Sequence, residues 1–317
     1  MTANQGFVRP TRRPGELGVH SLDHFHFVVP DLAVASRFYS EFGLEVGERD
    51  AGLTLATQGN PHVWGTIGEG PRKKHQYLSF GVFEDDLDRF AERLQALHVK
   101  RVDPPAGVES NGLWLHDPDG ALIEIAAAPK TSPSEKSPFL QPSVAPLERG
   151  APNRSAASRT FPRRLAHVLL FTTEVMKAID FYARVLGMRL SDHCGEGIAF
   201  MHGIHGSDHH MIALGKSNGP GFHHLSWDVG SIDEIGLGAM HMLGKGYEKG
   251  WGLGRHVLGS NFFHYVRDPW GSFAEYSADI DFVPADADWT AADHPPEDSF
   301  YVWGPSPPAD FVHNYEA

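Results

Sequence analysis

The sequence predicts an α+β protein of two tandem domains, each made of paired modules with the order strand–helix–strand–strand–strand (βαβββ). Two observations predict this class. One pattern of strand, turn and helix occurs twice along the chain, and each copy divides again into two similar parts. The length of 317 residues agrees with two domains, because one domain commonly holds roughly 150 residues.

Each copy begins with an apolar strand, a polar turn and a helix that stops at glycine. The two stretches are LDHFHFVVPDLAVASRFYSEFGLEV, from Leu22, and LAHVLLFTTEVMKAIDFYARVLGMRL, from Leu165. Glycine readily adopts positive φ, so a helix often ends where Gly43 and Gly187 stand. We therefore expect the same strand–helix unit at the start of both copies.

Each copy continues with a second strand and helix, followed by a hairpin. The strand–helix stretches are HQYLSFGVFEDDLDRFAERLQALHV and FHHLSWDVGSIDEIGLGAMHMLGKG, and the hairpins are LWLHDPDGALIEI and FHYVRDPWGSFAEYS. Acidic residues before each helix suit its N-cap. Both hairpins contain an Asp-Pro-x-Gly sequence, at 117–120 and 268–271, which favours a tight turn.

The repeat also predicts domain boundaries. We expect an N-terminal segment (1–19), a first domain without metal (20–127), a linker rich in Pro, Ser and Ala (128–162), a second, catalytic domain (163–280) and a C-terminal tail (281–317). The tail has little periodicity but several aromatic residues. Because aromatic side chains favour burial, we expect the tail to pack on the second domain near the functional site.

Composition argues against several classes of protein. The formal net charge is −13, from 27 basic and 40 acidic residues, whereas a surface that binds nucleic acid is basic. No apolar run approaches the ~20 residues that span a bilayer, and the N-terminus lacks the apolar core of a secretory signal. A single cysteine, Cys194, agrees with a reducing compartment. We expect a cytoplasmic protein that binds neither nucleic acid nor membranes.

Three aligned positions indicate a metal site in the second copy. They are His167, His224 and Glu275 in the second copy, and His24, Tyr77 and Glu124 in the first. Two imidazoles and one carboxylate from separate strands form the facial triad of non-haem iron sites, which leaves coordination positions open. Because a tyrosine replaces the second imidazole in the first copy, we predict one metal ion per chain.

The stretch GFHHLSWDV leaves open which of two adjacent histidines is the ligand. Neighbouring residues of a strand face opposite sides, so only one of His223 and His224 can point inward. His224 aligns with Tyr77 of the first copy, but periodicity alone does not say which face is inside.

The chain resembles the type I extradiol catechol dioxygenases of the vicinal oxygen chelate superfamily, whose domains have the glyoxalase-like fold. The resemblance covers residues 20–280 and is strongest from His210 to Ile280. It depends on the segment HHMIALGKSNGPGFHH and on the long block GRHVLGSNFFHYVRDPWGSFAEY.

The resemblance implies roles for these residues. The second histidine of the His-His pair is the family's iron ligand, so the ligand set corresponds to His167, His224 and Glu275. Fe(II) is the expected cofactor, and Mn(II) suits the same ligands. His210 corresponds to the family's acid–base histidine, with His209 as its chief rival, and His256 and Tyr265 correspond to residues beside the substrate.

The activity implied by the resemblance is extradiol ring cleavage. Both atoms of O2 would enter a substituted catechol or trihydroxylated aromatic, giving a muconic semialdehyde-type product. Members that cleave homoprotocatechuate carry Asn where this chain has Leu169, and Arg where it has Trp251. That Arg serves a carboxylate on the substrate, so its absence predicts a substrate without an acidic side chain. The resemblance also implies a homo-oligomer.

Two other functions stay open at this point, since a fold alone does not give a function. One is a non-oxidative metalloenzyme of the same fold, such as a glyoxalase or isomerase. Those enzymes usually take metal ligands from both halves of a paired barrel, whereas here the second copy holds a full set. The other is a metal-free binding module, which would tolerate the loss of Glu275.

Overall fold

The structure is a computed structural model, and it describes residues 10–50, 52–141 and 143–317. Residues 1–9 of the predicted N-terminal segment lie outside this description. The described chain forms two large mixed sheets with a few helices, and each sheet contains paired βαβββ modules. No helix in the described ranges is both long enough and apolar enough to cross a bilayer.

The first sheet comes from the first copy of the repeat. Its first module contains β1 (Ser21–Val29), α1 (Leu32–Phe42), β2 (Glu45–Arg49), β3 (Gly52–Thr57) and β4 (Asn60–Glu69). Its second module contains β5 (Lys74–Val82), α2 (Leu87–Ala96), β6 (Arg101–Val102), β7 (Leu113–His116) and β8 (Leu122–Ala127). The strand order is β2-β3-β4-β1-β5-β8-β7-β6, so the two modules join through the antiparallel β1–β5 pair.

The second sheet repeats this plan. Its first module contains β9 (Arg164–Thr172), α3 (Val175–Leu186), β10 (Arg189–Cys194), β11 (Ile198–His202), β12 (Ser207–Asp208) and β13 (Ile212–Lys216). Its second module contains β14 (Gly221–Asp228), α4 (Ile232–Gly244), β15 (Gly250–His256), β16 (Phe262–Arg267) and β17 (Phe273–Ala278). The antiparallel β9–β14 pair joins the modules, as β1–β5 does in the first sheet.

The C-terminal tail lies along the second sheet. Its strands are β18 (Phe282–Val283), β19 (Ala292–Asp293) and β20 (Tyr301–Trp303). The sheet order β19-β10-β11-β13-β9-β14-β17-β16-β15-β20 shows that the tail supplies a strand at each edge. Single turns of 3-10 helix occupy Glu84–Asp86, Arg154–Ala156 and Pro296–Asp298. Strands of two or three residues are too short for a detectable sequence pattern.

Local chemistry explains the helix ends. The Asp31 side chain accepts a hydrogen bond from the Val34 N–H (2.9 Å) and so caps α1. Helices α1 and α3 both end at the predicted glycines, Gly43 with φ of 107° and Gly187 with φ of 70°. These left-handed conformations favour glycine because it has no Cβ.

The segment between the two sheets is partly packed rather than fully solvated. Apart from the turn at Arg154–Ala156, the described residues of 128–162 form no helix or strand. Lys130 and Thr160 are nevertheless buried, and the Phe139 ring stacks on Phe262 with centroids 5.6 Å apart. The predicted limits of the linker and of the domains stay predictions.

The two Asp-Pro-x-Gly turns connect the sheets reciprocally. Asp119, in the turn of the first copy, accepts hydrogen bonds from the hydroxyls of Thr172 and Thr173 in the second copy. Asp268, in the turn of the second copy, forms a buried ion pair with Lys73 of the first. Both turns therefore have a packing role in addition to closing their hairpins.

Several buried or half-buried histidines outside the candidate site predict loss of stability in acid. Burial lowers the pKa of His20 and His75 to about 3, and of His202, His205 and His264 to about 4. The unfolded chain binds these protons below its ordinary pKa of about 6.5, whereas the folded chain does not. Stability is therefore expected to fall as the pH drops from 6.5 toward 4, by up to about 1.4 kcal/mol per pH unit for each histidine.

The measurement is the urea midpoint of unfolding at pH 7 and pH 5. The His20→Asn variant is expected to show a smaller drop between the two pH values than the unchanged protein. The exposed His98 supplies a matched control, since His98→Asn is expected to leave the drop unchanged. An equal drop in His20→Asn and the unchanged protein would contradict the prediction.

Candidate active site

Three adjacent strands bring the predicted metal ligands together. His167 lies on β9, His224 on β14 and Glu275 on β17, with β14 in the middle. Ser226 of β14 pairs with both His167 and Glu275 across the ladders. His224 is two residues from Ser226, and residues two apart on a strand share a face. The three candidate ligands therefore meet on one face of the sheet.

The distances between the three side chains fit a single metal ion. His167 Nε2 is 3.2 Å from His224 Nε2 and 3.3 Å from Glu275 Oε2, and His224 Nε2 is 3.5 Å from Glu275 Oε2. Three mutually adjacent ligands, each about 2.1 Å from one ion, lie roughly 3 Å apart. Glu275 is fully buried, and its Oε2 has no hydrogen-bond partner among the residues that the structure describes. Because a buried carboxylate oxygen without a partner is strongly unfavourable, this site fits a divalent cation.

The adjacent histidine orients His224. His223 Nε2 is 2.6 Å from the carbonyl oxygen of Phe311, to which it must donate. Burial lowers the pKa of His223 to about 4, so the ring is neutral near pH 7 and its Nδ1 can only accept. That Nδ1 lies 2.7 Å from His224 Nδ1, which therefore donates. The lone pair of His224 is left on Nε2, toward His167 and Glu275, and this favours His224 over His223 as the ligand.

A mainly apolar cavity of about 340 Å³ opens beside the triad. Its apolar wall includes Leu169, Phe171, Ile198, Phe200, Phe300 and Phe311. The last two belong to the C-terminal tail, which packs over the second domain at this point. The polar side chains facing the cavity include the three predicted catalytic residues, His210, His256 and Tyr265.

His256 and Tyr265 form a hydrogen-bonded pair. His256 Nδ1 donates to the carbonyl oxygen of Phe300 (2.8 Å), so its Nε2 accepts from the Tyr265 hydroxyl (3.0 Å). Burial, reinforced by the nearby Glu275, raises the pKa of Tyr265 well above its ordinary value, so the hydroxyl stays protonated. The tyrosine oxygen can then accept a hydrogen bond from a ligand in the cavity.

His210 faces the cavity and its rival His209 lies behind it. The His210 ring is buried, and its centroid is 4.1 Å from that of His167. Burial, reinforced by neighbouring histidines, lowers the pKa of His210 well below its ordinary value. His210 Nδ1 is 3.0 Å from His209 Nδ1, which leaves Nε2 for a ligand. His209 Nε2 instead lies 2.9 Å from Asp192 Oδ2, away from the cavity.

The aligned residues of the first copy have partners within the protein. His24 Nδ1 is 2.7 Å from Asp23 Oδ2, and its Nε2 is 4.0 Å from Glu124 Oε2. Glu124 also accepts a hydrogen bond from the Ser110 hydroxyl. Tyr77 packs edge-on to His24 with centroids 5.7 Å apart. All three side chains therefore have contacts within the first copy.

Some site contacts were missed by sequence reasoning. Asn261 donates to Glu275 Oε1 (3.3 Å), and its place inside the matched block was the signal that could have found it. Trp251 does not border the cavity. It stacks on Tyr265 with centroids 5.5 Å apart and donates to the Pro305 carbonyl (2.7 Å). It therefore supports Tyr265 from behind and does not line the cavity.

Comparison with known proteins identifies the family. The family model of the Glyoxalase/Bleomycin resistance protein/Dioxygenase superfamily matches residues 21–125 and 164–276. The chain belongs to this superfamily. Metapyrocatechase 2 of Cupriavidus necator is 49% identical over 315 residues, covering 99% of this chain and 98% of the relative. A 3-methylcatechol 2,3-dioxygenase of Pseudomonas putida is 25% identical over 82% of this chain and 90% of the relative. The resemblance to type I extradiol dioxygenases is confirmed.

Solved structures of the superfamily confirm the predicted fold. Homoprotocatechuate 2,3-dioxygenase from Brevibacterium fuscum has a TM-score of 0.73 at 21% identity, over 95% of this chain and 94% of that one. A Mn(II)-bound glyoxalase from Novosphingobium aromaticivorans has a TM-score of 0.72 at 24% identity, over 92% and 93%. A dioxygenase and a glyoxalase thus share this backbone, so the activity of this superfamily member has to be argued from its site.

Proposed function

We propose that the protein is a metal-dependent extradiol dioxygenase that opens a catechol ring with both atoms of O2. The observation that carries this proposal is the arrangement of His167, His224 and Glu275 around one point beside a mainly apolar cavity. The 49% identity to metapyrocatechase 2 along nearly the whole chain supports the same activity. The expected product is a muconic semialdehyde-type compound.

The two imidazole Nε2 atoms and Glu275 Oε2 would hold the metal. Nitrogen and carboxylate ligands in a facial set suit Fe(II), our first candidate, and Mn(II), our second. When bound, the ion supplies a Lewis acid that favours the ionised catechol and a redox centre for the reaction with O2. One carboxylate and two neutral imidazoles leave a divalent site with net positive charge, which attracts an anionic catecholate.

The other polar side chains would bind the substrate and move protons. Tyr265, held by His256, accepts a hydrogen bond from a substrate hydroxyl and fixes the ring in the cavity. His210 takes up a proton at Nε2 and returns it to the oxygen that leaves the ring. Phe300 and Phe311 of the tail cover the cavity and exclude water from the reacting groups.

The glyoxalase alternative has weaker support. It would draw ligands from both halves of a paired barrel, yet the first-copy residues His24 and Glu124 have Asp23 and Ser110 as partners. The binding-module alternative does not account for the buried, unpaired Oε2 of Glu275. A homo-oligomeric state and a cytoplasmic location stay predictions.

Substrate preference gives the first test of the proposal. Oxygen uptake is measured after anaerobic reconstitution with Fe(II), using 3-methylcatechol and 3,4-dihydroxyphenylacetate. We expect one O2 per catechol and a yellow product, with kcat/KM at least about 10²-fold higher for the methyl compound. The reason is that Leu169 and the aromatic wall surround the substrate with apolar groups, whereas the ammonium group that borders the cavity, that of Lys216, belongs to an exposed residue.

The outcomes separate the candidate functions. No oxygen uptake with either catechol would contradict the dioxygenase and favour a non-oxidative enzyme. If the metal-free protein binds a catechol and Glu275→Gln binds it with the same affinity, the binding module would be favoured. Equal kcat/KM for the two substrates would retain the dioxygenase but contradict the neutral substrate class.

A further inference from the structure

A row of four polar side chains leads from the cavity toward the surface. Its links are His210 Nδ1 to His209 Nδ1 (3.0 Å), His209 Nε2 to Asp192 Oδ2 (2.9 Å) and Asp192 Oδ1 to His294 Nε2 (2.9 Å). His210, His209 and Asp192 are buried, and His294 is partly exposed. The row joins β10, the segment after β12 and the C-terminal tail.

The donors and acceptors in this row have a fixed order. Burial alone would raise the pKa of Asp192, but hydrogen bonds from His209, His294 and the Ala292 N–H outweigh burial and lower it. The carboxylate is therefore ionised and can only accept. His209 must carry its proton on Nε2 to donate to Asp192. In a neutral His209 the Nδ1 atom then accepts from His210 Nδ1–H, and the lone pair of a neutral His210 is left on Nε2, facing the cavity.

We propose that Asp192 is a positioning residue that acts through His209 to hold His210 with an unprotonated Nε2 directed at the substrate. The inference rests on the proposed function, because it concerns the acid–base histidine of that reaction. A buried carboxylate that fixes the tautomer of a neighbouring histidine is an established way to prepare a base. Here the carboxylate acts through one further imidazole, that of His209, on the histidine that faces the cavity.

Packing keeps both imidazoles in place independently of Asp192. The Trp289 ring lies edge-on to His209 with centroids 5.0 Å apart, and Phe200 lies edge-on to His210 at 4.9 Å. The backbone N–H of His209 also donates to the Asp281 carbonyl oxygen (2.7 Å). A change at Asp192 is thus expected to alter the positions of protons rather than of rings.

The test is Asp192→Asn, which keeps the shape of the side chain but reverses the direction of the hydrogen bonds from residue 192 to His210. The Ala292 N–H (3.0 Å) and His294 both donate to Oδ1, so the amide oxygen is retained on that side and the NH2 faces His209. His209 must then accept at Nε2 and donate from Nδ1, which leaves the proton of His210 on Nε2. We expect kcat to fall at least about 10²-fold. Metal content and KM for the catechol are expected to stay the same.

Two neighbouring substitutions are matched controls. Asp293→Asn removes the charge of an exposed carboxylate, on the residue that precedes His294 in sequence. It is expected to leave kcat unchanged. His294→Gln keeps a donor to Asp192 and is expected to leave kcat within about threefold. An equally large loss in His294→Gln would overturn the positioning role and indicate a proton path to solvent. Unchanged kcat in Asp192→Asn would also overturn it.

Imidazole nitrogen NMR gives a second readout that needs no turnover. In the metal-free, full-length protein we expect His210 to carry its proton on Nδ1, and in Asp192→Asn on Nε2. A proton on Nε2 in the unchanged protein would overturn the inference even where the variant does not fold. If the wild-type protein shows the expected tautomer of His210 but turns over no catechol, only the proposed function is contradicted.

Discussion

Replacing Glu275 with glutamine is expected to remove the metal and with it the activity. The carboxylate Oε2 lies within 3.5 Å of both imidazole nitrogens, and in the described part of the chain it has no hydrogen-bond partner. Glutamine has the same size but no charge, so the site loses the anionic ligand that a divalent cation needs in a buried place. Metal content after anaerobic loading is expected to fall from about one ion per chain to below a tenth, and turnover by about 10³-fold or more.

The internal repeat supplies the matched control. Glu124 occupies the same place in the first domain, and it is almost equally buried. Glu124→Gln is expected to leave metal content and turnover unchanged, because the Ser110 hydroxyl and not a cation is its partner. Metal retained by Glu275→Gln, or lost by Glu124→Gln, would contradict a single site in the second domain. Elemental analysis measures both variants without requiring activity.

The repeat is also the reason that the fold could be predicted from the sequence. Gly43 and Gly187 end equivalent helices, and the two Asp-Pro-x-Gly turns close equivalent hairpins. Each of these signals is local, because it depends on a backbone conformation that few residue types favour. Two matching sets of such signals define the modules without any knowledge of long-range contacts.

The candidate ligands could be found for the same reason. Residues at the same place in paired modules lie on equivalent strands, so aligning the copies brings His167, His224 and Glu275 to notice together. The structure then adds their separations of 3.2 to 3.5 Å. Sequence alone gives no such distances, since they depend on the register between β9, β14 and β17.

The orienting contacts of the site could not be predicted. The carbonyls of Phe300 and Phe311 fix the protons of His256 and His223, and they come from a tail far along the chain. A backbone carbonyl is the same for every residue type, so it leaves no signal in the sequence. Asp192 is separated from His209 by 17 positions and becomes its partner only through the fold.

The same arrangement of hydrogen bonds occurs in both pairs of adjacent histidines. In each pair the first histidine is anchored by an acceptor, Asp192 for His209 and the Phe311 carbonyl for His223. Its Nδ1 then faces the Nδ1 of the second histidine, at 3.0 Å in one pair and 2.7 Å in the other. The Nε2 of the second histidine is thereby left free to face the triad or the cavity. Strand alternation cannot predict this, because the acceptors are distant in sequence.

Removing the His210 imidazole is expected to slow turnover without emptying the site. His210→Ala deletes a group that contacts His167 only by packing, so metal content is expected to stay near one ion per chain. The loss of a positioned proton carrier is expected to lower kcat by about 10²-fold or more. Catechol affinity, measured by anaerobic titration, is expected to change by less than about threefold, because Tyr265 and the metal remain.

The His209→Ala variant shows whether the loss of turnover is specific to His210. In His209→Ala the cavity-facing Nε2 of His210 is still present, and only the partner that orders its protons is gone. Its kcat is therefore expected to lie between those of His210→Ala and the unchanged protein. Added imidazole is expected to restore part of the turnover of His210→Ala, because the deleted ring leaves space beside Phe200. Near-normal turnover in His210→Ala, together with a large loss in His209→Ala, would transfer the acid–base role to His209.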